Sequence, residues 1–314
     1  MAIPLTSREF DELISLGILD GVFFAGYDSA MAQGESVLDL FGVGSFWGKR
    51  SQETLSLGGL GYFEERKEGA SVNYDSMEQL FKTTFTAAEF DKVIPIDYTL
   101  VADQEYLKIQ DIIYALGDAA GKTRRRDAAS VFNNAFSSSY LGGDSKALCT
   151  TDHPLDLNGD NSHGNDGSTA LSYDSAIATV KLMMLYKNPR NLPTVVIPDT
   201  LVIPVGLIEV GEQIAKNVNE PDTADRNINA IKSRGGLKLK VDPFLDASDS
   251  NNWFLVDSVM AKRQLRWLNR EDLSFGTDMP TQTNKNYYVG GTMRYDYGWS
   301  DWRFIYGHEV AEGV

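Results

Sequence analysis

One stretch of the sequence, GDAAGKT at residues 117–123, has the residue types of a loop that binds nucleotide phosphates. Such a loop needs four residues between its two glycines, so that its backbone N–H groups surround the phosphates. Here only three residues separate Gly117 from Gly121, and the stretch lies within a helical pattern instead of following a strand. We therefore interpret these residues as the interior of a helix.

A second stretch, DLNGD at residues 156–160, begins like a calcium-binding loop. The sixth position of that loop requires glycine for its sharp turn, and the twelfth requires a glutamate that binds the ion through both oxygens. Those positions hold Asn161 and Gly167. The sequence therefore predicts a mobile, solvated loop from Leu157 to Ser168 without a structural calcium ion.

The residues that most often bind metals or act as nucleophiles do not form a recognisable motif. His153, His163 and His308 are not at metal-ligand spacing, and Cys149 has only His153 nearby. The motifs of zinc proteases, redox dithiols and serine hydrolases are also absent from the sequence. We predict no catalytic, cofactor-binding or metal-binding residues, no cofactor and no enzyme activity.

One strong concentration of positive charge remains. It consists of Lys122, Arg124, Arg125 and Arg126, which we call the basic cluster. Four bases within five residues repel one another unless acidic groups lie close to them. The cluster is therefore either an exposed face of a helix or a surface that binds a partner.

The composition is that of an ordinary globular protein of one or two domains. The 314 residues are 42% hydrophobic and 23% charged, and 44 acidic against 29 basic residues give a net charge of -15. This charge argues against a dedicated nucleic-acid binder, which needs Lys and Arg to neutralise phosphates. The single cysteine excludes an internal disulfide framework and fits assembly in a reducing compartment.

Neither a signal peptide nor a membrane span is predicted. The N-terminus lacks the positive charge that begins a signal peptide, and no run of apolar residues approaches 18. We expect a soluble protein that is made inside the cell and has no contact with membranes.

The first hundred residues predict an arm and a hairpin. A capping box at residues 6–9 predicts a short helix that ends near Gly17 to Gly21. Residues 21–61 have no sustained period, and glycines alternate there with bulky aromatic residues, so we expect an extended arm that packs on another chain. Residues 62–101 have strand character and a highly charged tract, which predicts a long two-stranded hairpin.

The strongest helical pattern covers residues 102–137, where apolar residues recur every three or four positions. Its glycines, Gly117 and Gly121, could permit a bend. Beyond a polar loop at 138–170 we predict an α/β region with helices at 173–186 and 208–216. Its predicted strands are 194–197, 201–204, 237–241 and 253–256, and an aromatic strand region at 293–306 closes the chain.

This order of parts resembles the major capsid proteins of tailed bacteriophages, which have the Hong Kong 97-type fold, and most of all their Mu-like head-subunit branch. Short phrases in the same order strengthen the resemblance: TDHPL at 151–155, PDTLVIP at 198–204, TADRNINA at 223–230, VDPFL at 241–245 and YGWSDWR at 297–303. They cover much of residues 100–308. None of them is a catalytic signature.

The resemblance implies an α+β fold divided into named parts. Residues 1–55 would be the N-terminal arm and 56–92 the extended E-loop hairpin. Residues 93–144 and 286–314 would form the peripheral domain, with the spine helix at 102–137. An α/β axial domain would take up residues 145–285.

The function that it implies is that of a major capsid protein. Copies would assemble in the host bacterial cytoplasm into the hexamers and pentamers of an icosahedral head. The head would enclose double-stranded DNA without sequence-specific binding, and the protein would be part of the virion. Further partners would be a separate scaffolding protein, a portal and decoration proteins.

In this family the hairpin lies across an adjacent subunit. We therefore expect its acidic residues Glu64, Glu65 and Glu68 to meet the basic cluster (Lys122, Arg124, Arg125 and Arg126) of a neighbouring copy. The sequence leaves three alternatives open. They are an encapsulin-like protein nanocompartment, a cofactor-independent intracellular enzyme with an α/β core, and another phage part such as a tail or connector protein.

Overall fold

The computed structural model describes residues 17–69, 71–72, 74–77, 79–103, 105–157, 161–219, 228–247, 251–278 and 286–311. The helix predicted from the capping box at residues 6–9 lies outside these residues. Among the described residues, no helix combines the length and the apolarity that crossing a membrane requires.

Helices and strands are mixed along the chain, as the α+β prediction requires. The α-helices are α1 Ile18–Ala32, α2 Tyr98–Ala102, α3 Tyr106–Asn133, α4 Tyr173–Met183, α5 Ile208–Lys216, α6 Ala230–Ser233 and α7 Ser258–Gln264. The first strands are β1 Gly42–Ser45, β2 Ser51–Leu57, β3 Gln79–Thr86, β4 Ala88–Asp97, β5 His153–Pro154, β6 Ser162–His163 and β7 Asp166–Gly167. The others are β8 Thr200–Ile203, β9 Lys238–Val241, β10 Trp253–Val256, β11 Leu265–Asp278, β12 Asn286–Trp299 and β13 Ile305–His308.

The chain divides into two compact units. Unit 1 takes its described residues from Met1–Gly34, Thr86–Asp127 and Leu268–Asp296. Unit 2 takes its own from Glu35–Phe85, Ala128–Trp267 and Tyr297–Val314.

The core of unit 1 lies between two helices and a sheet. The predicted long helix is present as α3, and its apolar residues Ile109, Ile113 and Leu116 are buried because they recur on one face. They form one cluster with Phe23 of α1 and Val289 of β12. Strand β4 pairs with β12 in antiparallel register over ten residue pairs, from Asn286 opposite Asp97 to Tyr295 opposite Ala88.

Glycines allow α1 and α3 to lie in unusually close contact. A Cβ atom on Gly117 would lie 1.9 Å from the carbonyl oxygen of Phe23, and one on Gly26 would lie 2.2 Å from that of Tyr114. At Gly121 the nearest atom, the Cβ of Ala30, would be at 2.7 Å. The GDAAGKT stretch is therefore a helix interior, as predicted, and its glycines serve helix packing.

The prediction of an arm without self-burial is wrong for residues 18–46. Helix α1 occupies its first part, with Phe23 completely buried in unit 1. In unit 2, Phe41 and Phe46 are buried, and the Phe41 ring meets that of Trp267 edge to face. Two aromatics of the stretch are exposed: Phe24 at 38% and Trp47 at 85%.

Unit 2 is built on a five-stranded sheet in the order β7-β13-β10-β8-β9. Strand β10 lies antiparallel to both β13 and β8, whereas β8 and β9 run parallel. Every residue of β8, β10 and β13 is buried, so these strands read as continuous apolar runs. The strand predicted at 194–197 is wrong, because that segment is irregular and Val195 is 83% exposed.

The predicted mobile loop at 157–168 is wrong for residues 165–167. Asn165 is fully buried, and its side chain accepts from the Thr150 N–H and donates to the Leu148 carbonyl. Next to it, β7 pairs with β13 in parallel. Side chain and strand pairing therefore hold residues 165–167 in the sheet of unit 2.

Candidate inter-subunit surfaces

A two-stranded sheet of unit 2 carries a long loop, most of whose described residues are exposed. Strands β2 and β3 pair with each other, and residues 58–78 join them; we call these residues the loop. At its base, Ser56 Oγ donates to the Phe81 carbonyl and accepts from the Phe81 N–H, both at 3.1 Å. The hairpin predicted at residues 62–101 is therefore wrong in its strands: the first strand is β2 at Ser51–Leu57, the charged tract is irregular, and β4 pairs with β12 in another sheet. The charged excursion between two paired strands is present.

The described part of the loop exposes large apolar side chains. Tyr62, Phe63 and Tyr74 are 70%, 106% and 97% exposed, so Phe63 is entirely in solvent. Three aromatic rings on one loop form the kind of surface that binding to another protein covers. The loop is therefore a candidate contact with a neighbouring copy.

One ion pair fixes part of the loop within unit 2. Arg190 Nη1 lies 2.8 Å from both carboxylate oxygens of Asp75, and its Nη2 donates to the Ser76 carbonyl. The Gly61 N–H donates to Asp75 at 2.9 Å. This backbone hydrogen bond and Arg190 hold the pKa of Asp75 below its ordinary value. Asp75 thus connects two distant points of the loop and ties them to residue 190.

The basic cluster divides into exposed and buried members. The side chains of Lys122 and Arg126 are 53% and 62% exposed, and they pair with Asp118 at 2.6 Å and with Asp127 at 2.7 Å. Arg125 is only 5% exposed and donates to the carbonyls of Ala30 and Gln33 at the end of α1. Arg125 thus caps the C-terminus of α1 in its own subunit.

Arg124 is also engaged within unit 1. Its guanidinium donates to the Tyr27 hydroxyl at 2.7 Å and to the Asn269 side-chain oxygen at 3.1 Å. It also lies over the Tyr295 ring at 5.8 Å. Of the four predicted contact residues on α3, Lys122 and Arg126 are therefore the ones that present charge outward.

The acidic residues expected to meet this cluster are exposed. Glu64, Glu65 and Glu68 lie in the irregular first half of the loop. Since the loop belongs to unit 2 and the cluster to unit 1, contact between them in neighbouring copies remains a prediction.

A groove in unit 1 was not predicted from the sequence. It has a volume of about 270 Å³, and its apolar lining includes Phe23, Phe90, Leu116, Leu273 and Met293. Strand β11, which lines the groove through Leu273, has apolar residues at 265, 267, 273 and 275, but the sequence predictions above do not include it.

The three histidines stack on tryptophan rings of unit 2. His153 is fully buried, its Nδ1 lies 2.6 Å from Asp144 Oδ2, and its ring stacks on Trp302 at 4.4 Å. His163 lies directly opposite it in the β5–β6 pair. In the described part of the chain, no group of three or more His, Cys, Asp and Glu side chains is arranged to hold a metal ion.

His308 gives a testable pH dependence. Its ring stacks on Trp253 at 4.0 Å, and Thr179 Oγ1 lies 2.9 Å from its Nε2. Burial lowers the pKa of His308 to about 4, whereas in the unfolded chain it is about 6.5. The unfolded state therefore binds the proton first as the pH falls. The contribution of neutral His308 to the free energy of unfolding is therefore complete above pH ~6.5 and is lost as the pH falls towards ~4.

We expect the unassembled subunit to lose about 2 kcal/mol of unfolding free energy through His308 between pH 7 and pH 5. Urea denaturation at both pH values measures this loss. In His308→Phe, which keeps an aromatic ring beside Trp253, the difference between the two pH values should shrink by that amount. An unchanged difference would show that His308 is not the responsible group.

Comparison with known proteins supports a shell protein. The chain matches the family of phage capsid proteins over residues 81–307, well over half of its length. The solved capsid of the cyanophage P-SCSP1u is 13% identical, with a TM-score of 0.56 over 88% of both chains. The mature capsid of bacteriophage PhiM1 is 12% identical, with a TM-score of 0.56 over 90% of this chain and 88% of that one.

A virus-like particle from Pyrococcus furiosus is also similar, at 9% identity and a TM-score of 0.52 over 92% of this chain and 98% of that one. No individually curated protein matches the chain in sequence. Identities this low establish the fold alone, and the α+β architecture described above is the Hong Kong 97-type capsid fold. Because the family match covers residues 81–307, the chain belongs to the phage capsid protein family.

Proposed function

We propose that this phage capsid protein is the major shell subunit, whose copies form the hexamers and pentamers of an icosahedral head around double-stranded DNA. The family match over residues 81–307 carries the proposal. A shell subunit acts through its contacts and not through catalysis. The exposed rings of Tyr62, Phe63 and Tyr74 support this role, because neighbouring copies would cover them.

The net charge supports enclosure of DNA without adhesion to it. At -15, the protein as a whole repels phosphate groups, and packed DNA stays free to move along a negative wall. DNA that co-purifies with the particles and resists nuclease would support a phage head. Particles that hold a protein cargo and no protected DNA would instead favour a nanocompartment.

The proposed parts of the chain are the N-terminal arm at 1–55, the E-loop at 56–92, the peripheral domain at 93–144 and 286–314, and the axial domain at 145–285. Within the proposed arm, helix α1 and the buried Phe41 and Phe46 pack on the subunit itself. The phrases at 151–155 and 297–303 support placement in the Mu-like branch. A separate scaffolding protein, a portal and decoration proteins remain proposed partners.

The acidic loop should meet the exposed part of the basic cluster across copies. Reversing Glu64 and Glu65 to Lys should leave the subunit folded, because both residues are exposed. Assembly at low salt should weaken, and Lys122→Glu should partly restore it. Each pair contributes only about 0.2 to 1 kcal/mol, but the contact repeats throughout a shell, and salt screens it. Light scattering during assembly at low and high salt measures the effect.

Lys108 provides a matched control for the rescue. It lies on the same helix, its side chain is 66% exposed, and it pairs with a neighbouring acid, as Lys122 does. Lys108→Glu should not rescue the reversed loop. Equal rescue by both variants, or normal assembly of the reversed loop at every salt concentration, would leave the cluster as a solvated helix face.

A further inference from the structure

The groove of unit 1 is lined by both small and large residues. Ala119 and Ala120 of α3 are small lining residues, and Phe23 and Phe90 are the aromatic ones. Gly291 of β12 lies so close to the Phe23 ring that an added Cβ would stand 2.9 Å from Cζ. The lining residues surround an open space of about 270 Å³.

The size and lining of this space suit one aromatic ring. A cavity of about 150 Å³ lined by aliphatic and aromatic residues is enough to bind benzene. Phe23, Phe90, Leu116 and Leu273 provide apolar walls, and Met293 adds a sulfur atom that favours contact with ring edges. An apolar ring would fit better here than a charged or strongly polar group.

The chain itself carries a matching group. Phe63 on the loop is completely exposed and has no polar atom, unlike Tyr62 and Tyr74 with their hydroxyl groups. It is therefore the loop aromatic that loses least when an apolar groove removes it from water.

The charges on both sides are complementary. Phe63 is followed by two acids, Glu64 and Glu65, and then by two bases, Arg66 and Lys67. The charged residues that line the groove are one base, Lys92, and two acids, Glu89 and Asp91. Thr123 in the lining follows Lys122 along α3. The loop acids could therefore pair with Lys92, and the loop bases with Glu89 and Asp91.

We infer that Phe63 of one copy inserts into the groove of unit 1 in a second copy. The ring is the anchor of the contact, and the surrounding charges set its orientation. This inference rests on the proposed function and names the residue and the receptor of one shell contact. It also brings the acidic residues after Phe63 to the end of the groove at Thr123, the residue that follows Lys122 on α3.

The first test is the protein concentration needed for shell assembly. Phe63→Ala should raise this concentration about tenfold or more, because a buried aromatic anchor dominates a contact. Phe63→Leu should lie between it and the parent. Tyr74→Ala, on the same loop and equally exposed, is the matched control and should have a smaller effect. Thermal unfolding of the unassembled variants checks that each remains folded.

The second test is cross-linking between different copies. Phe63→Cys and Thr123→Cys chains are mixed, assembled and treated with a short bis-maleimide, and a cross-linked dimer is expected. A mixture of Phe63→Cys with Lys108→Cys, further along the same helix, should give none. The parent measures the background, since Cys149 is buried and its burial raises the pKa of the thiol.

The outcomes separate the two proposals. A parent that never forms shells contradicts the proposed function and this contact with it. A parent that assembles together with an unimpaired Phe63→Ala contradicts the contact alone. So does a chain carrying both Phe63→Cys and Thr123→Cys that cross-links only within itself, because its own loop would then fill the groove.

Discussion

Replacing Gly117 by alanine is expected to lower the free energy of unfolding of the subunit by about 2 to 3 kcal/mol. The added methyl group would lie 1.9 Å from the carbonyl oxygen of Phe23, which is backbone and cannot rotate away. Helices α1 and α3 must therefore separate, and the cluster around Phe23 loosens. This loss exceeds the gain of about 0.5 to 1 kcal/mol that alanine brings to a helix interior.

Gly21 provides the matched control for this prediction. It also lies in a helix, α1, but a Cβ atom there would meet nothing within 4 Å. Gly21→Ala should leave the subunit equally stable or make it slightly more stable. Urea denaturation of unassembled subunits measures both variants. Equal stability of Gly117→Ala and the parent would contradict the close helix contact.

Replacing Arg125 by methionine is expected to cost about 3 kcal/mol of unfolding free energy. The last carbonyl groups of a helix have no partner within the helix, and Arg125 supplies donors to the Ala30 and Gln33 carbonyls. Its positive charge also lies at the negative end of the α1 dipole. Methionine keeps most of the volume but removes both the donors and the charge.

Lys122→Met is the control, because Lys122 is exposed on the same helix and its loss should change stability by no more than about 0.5 kcal/mol. Arg125→Lys should fall between methionine and arginine, since lysine keeps the charge but lacks the planar fork of donors. Equal effects of Arg125→Met and Lys122→Met would show that Arg125 contributes only as a surface charge.

These two predictions concern features that the sequence pattern could not reveal. The apolar period of α3 predicts the helix correctly, because its buried residues recur at three- and four-residue steps. The same reasoning failed for α1, where Gly21 and Gly26 suggested an irregular arm. Gly26 is in fact a contact point with α3, and such a requirement depends on a partner helix that is distant in sequence.

Local sequence patterns also gave wrong predictions of burial where contacts with residues distant in sequence decide it. The run of β-branched residues at 194–197 has the composition of a buried strand, yet Val195 is exposed. Strand β10 at Trp253–Val256 was predicted with its correct bounds, since its continuous apolar run is covered on both faces. Arg125 has the sequence context of a solvated cluster, and only its meeting with α1 makes it a buried residue.

The candidate contact surfaces were predictable in part. The composition predicts the charged tract with its exposed Glu64, Glu65 and Glu68, but this tract is irregular and does not form a strand. The groove required the sheet register and the neighbouring helix, so no linear pattern marks it. With the groove as its receptor, Phe63 becomes the apolar anchor beside the charges of the loop. Many such modest contacts in a closed shell would give strong collective stability.

The central claim, that copies of this chain build a closed icosahedral shell, is tested most directly by electron microscopy of the purified protein with single-particle reconstruction. The account predicts round, closed particles whose surface resolves into hexamers and pentamers, with the loop of each subunit lying on a neighbouring copy. Exclusively monomeric protein under all assembly conditions, or shells in which the loop contacts only its own subunit, would contradict it.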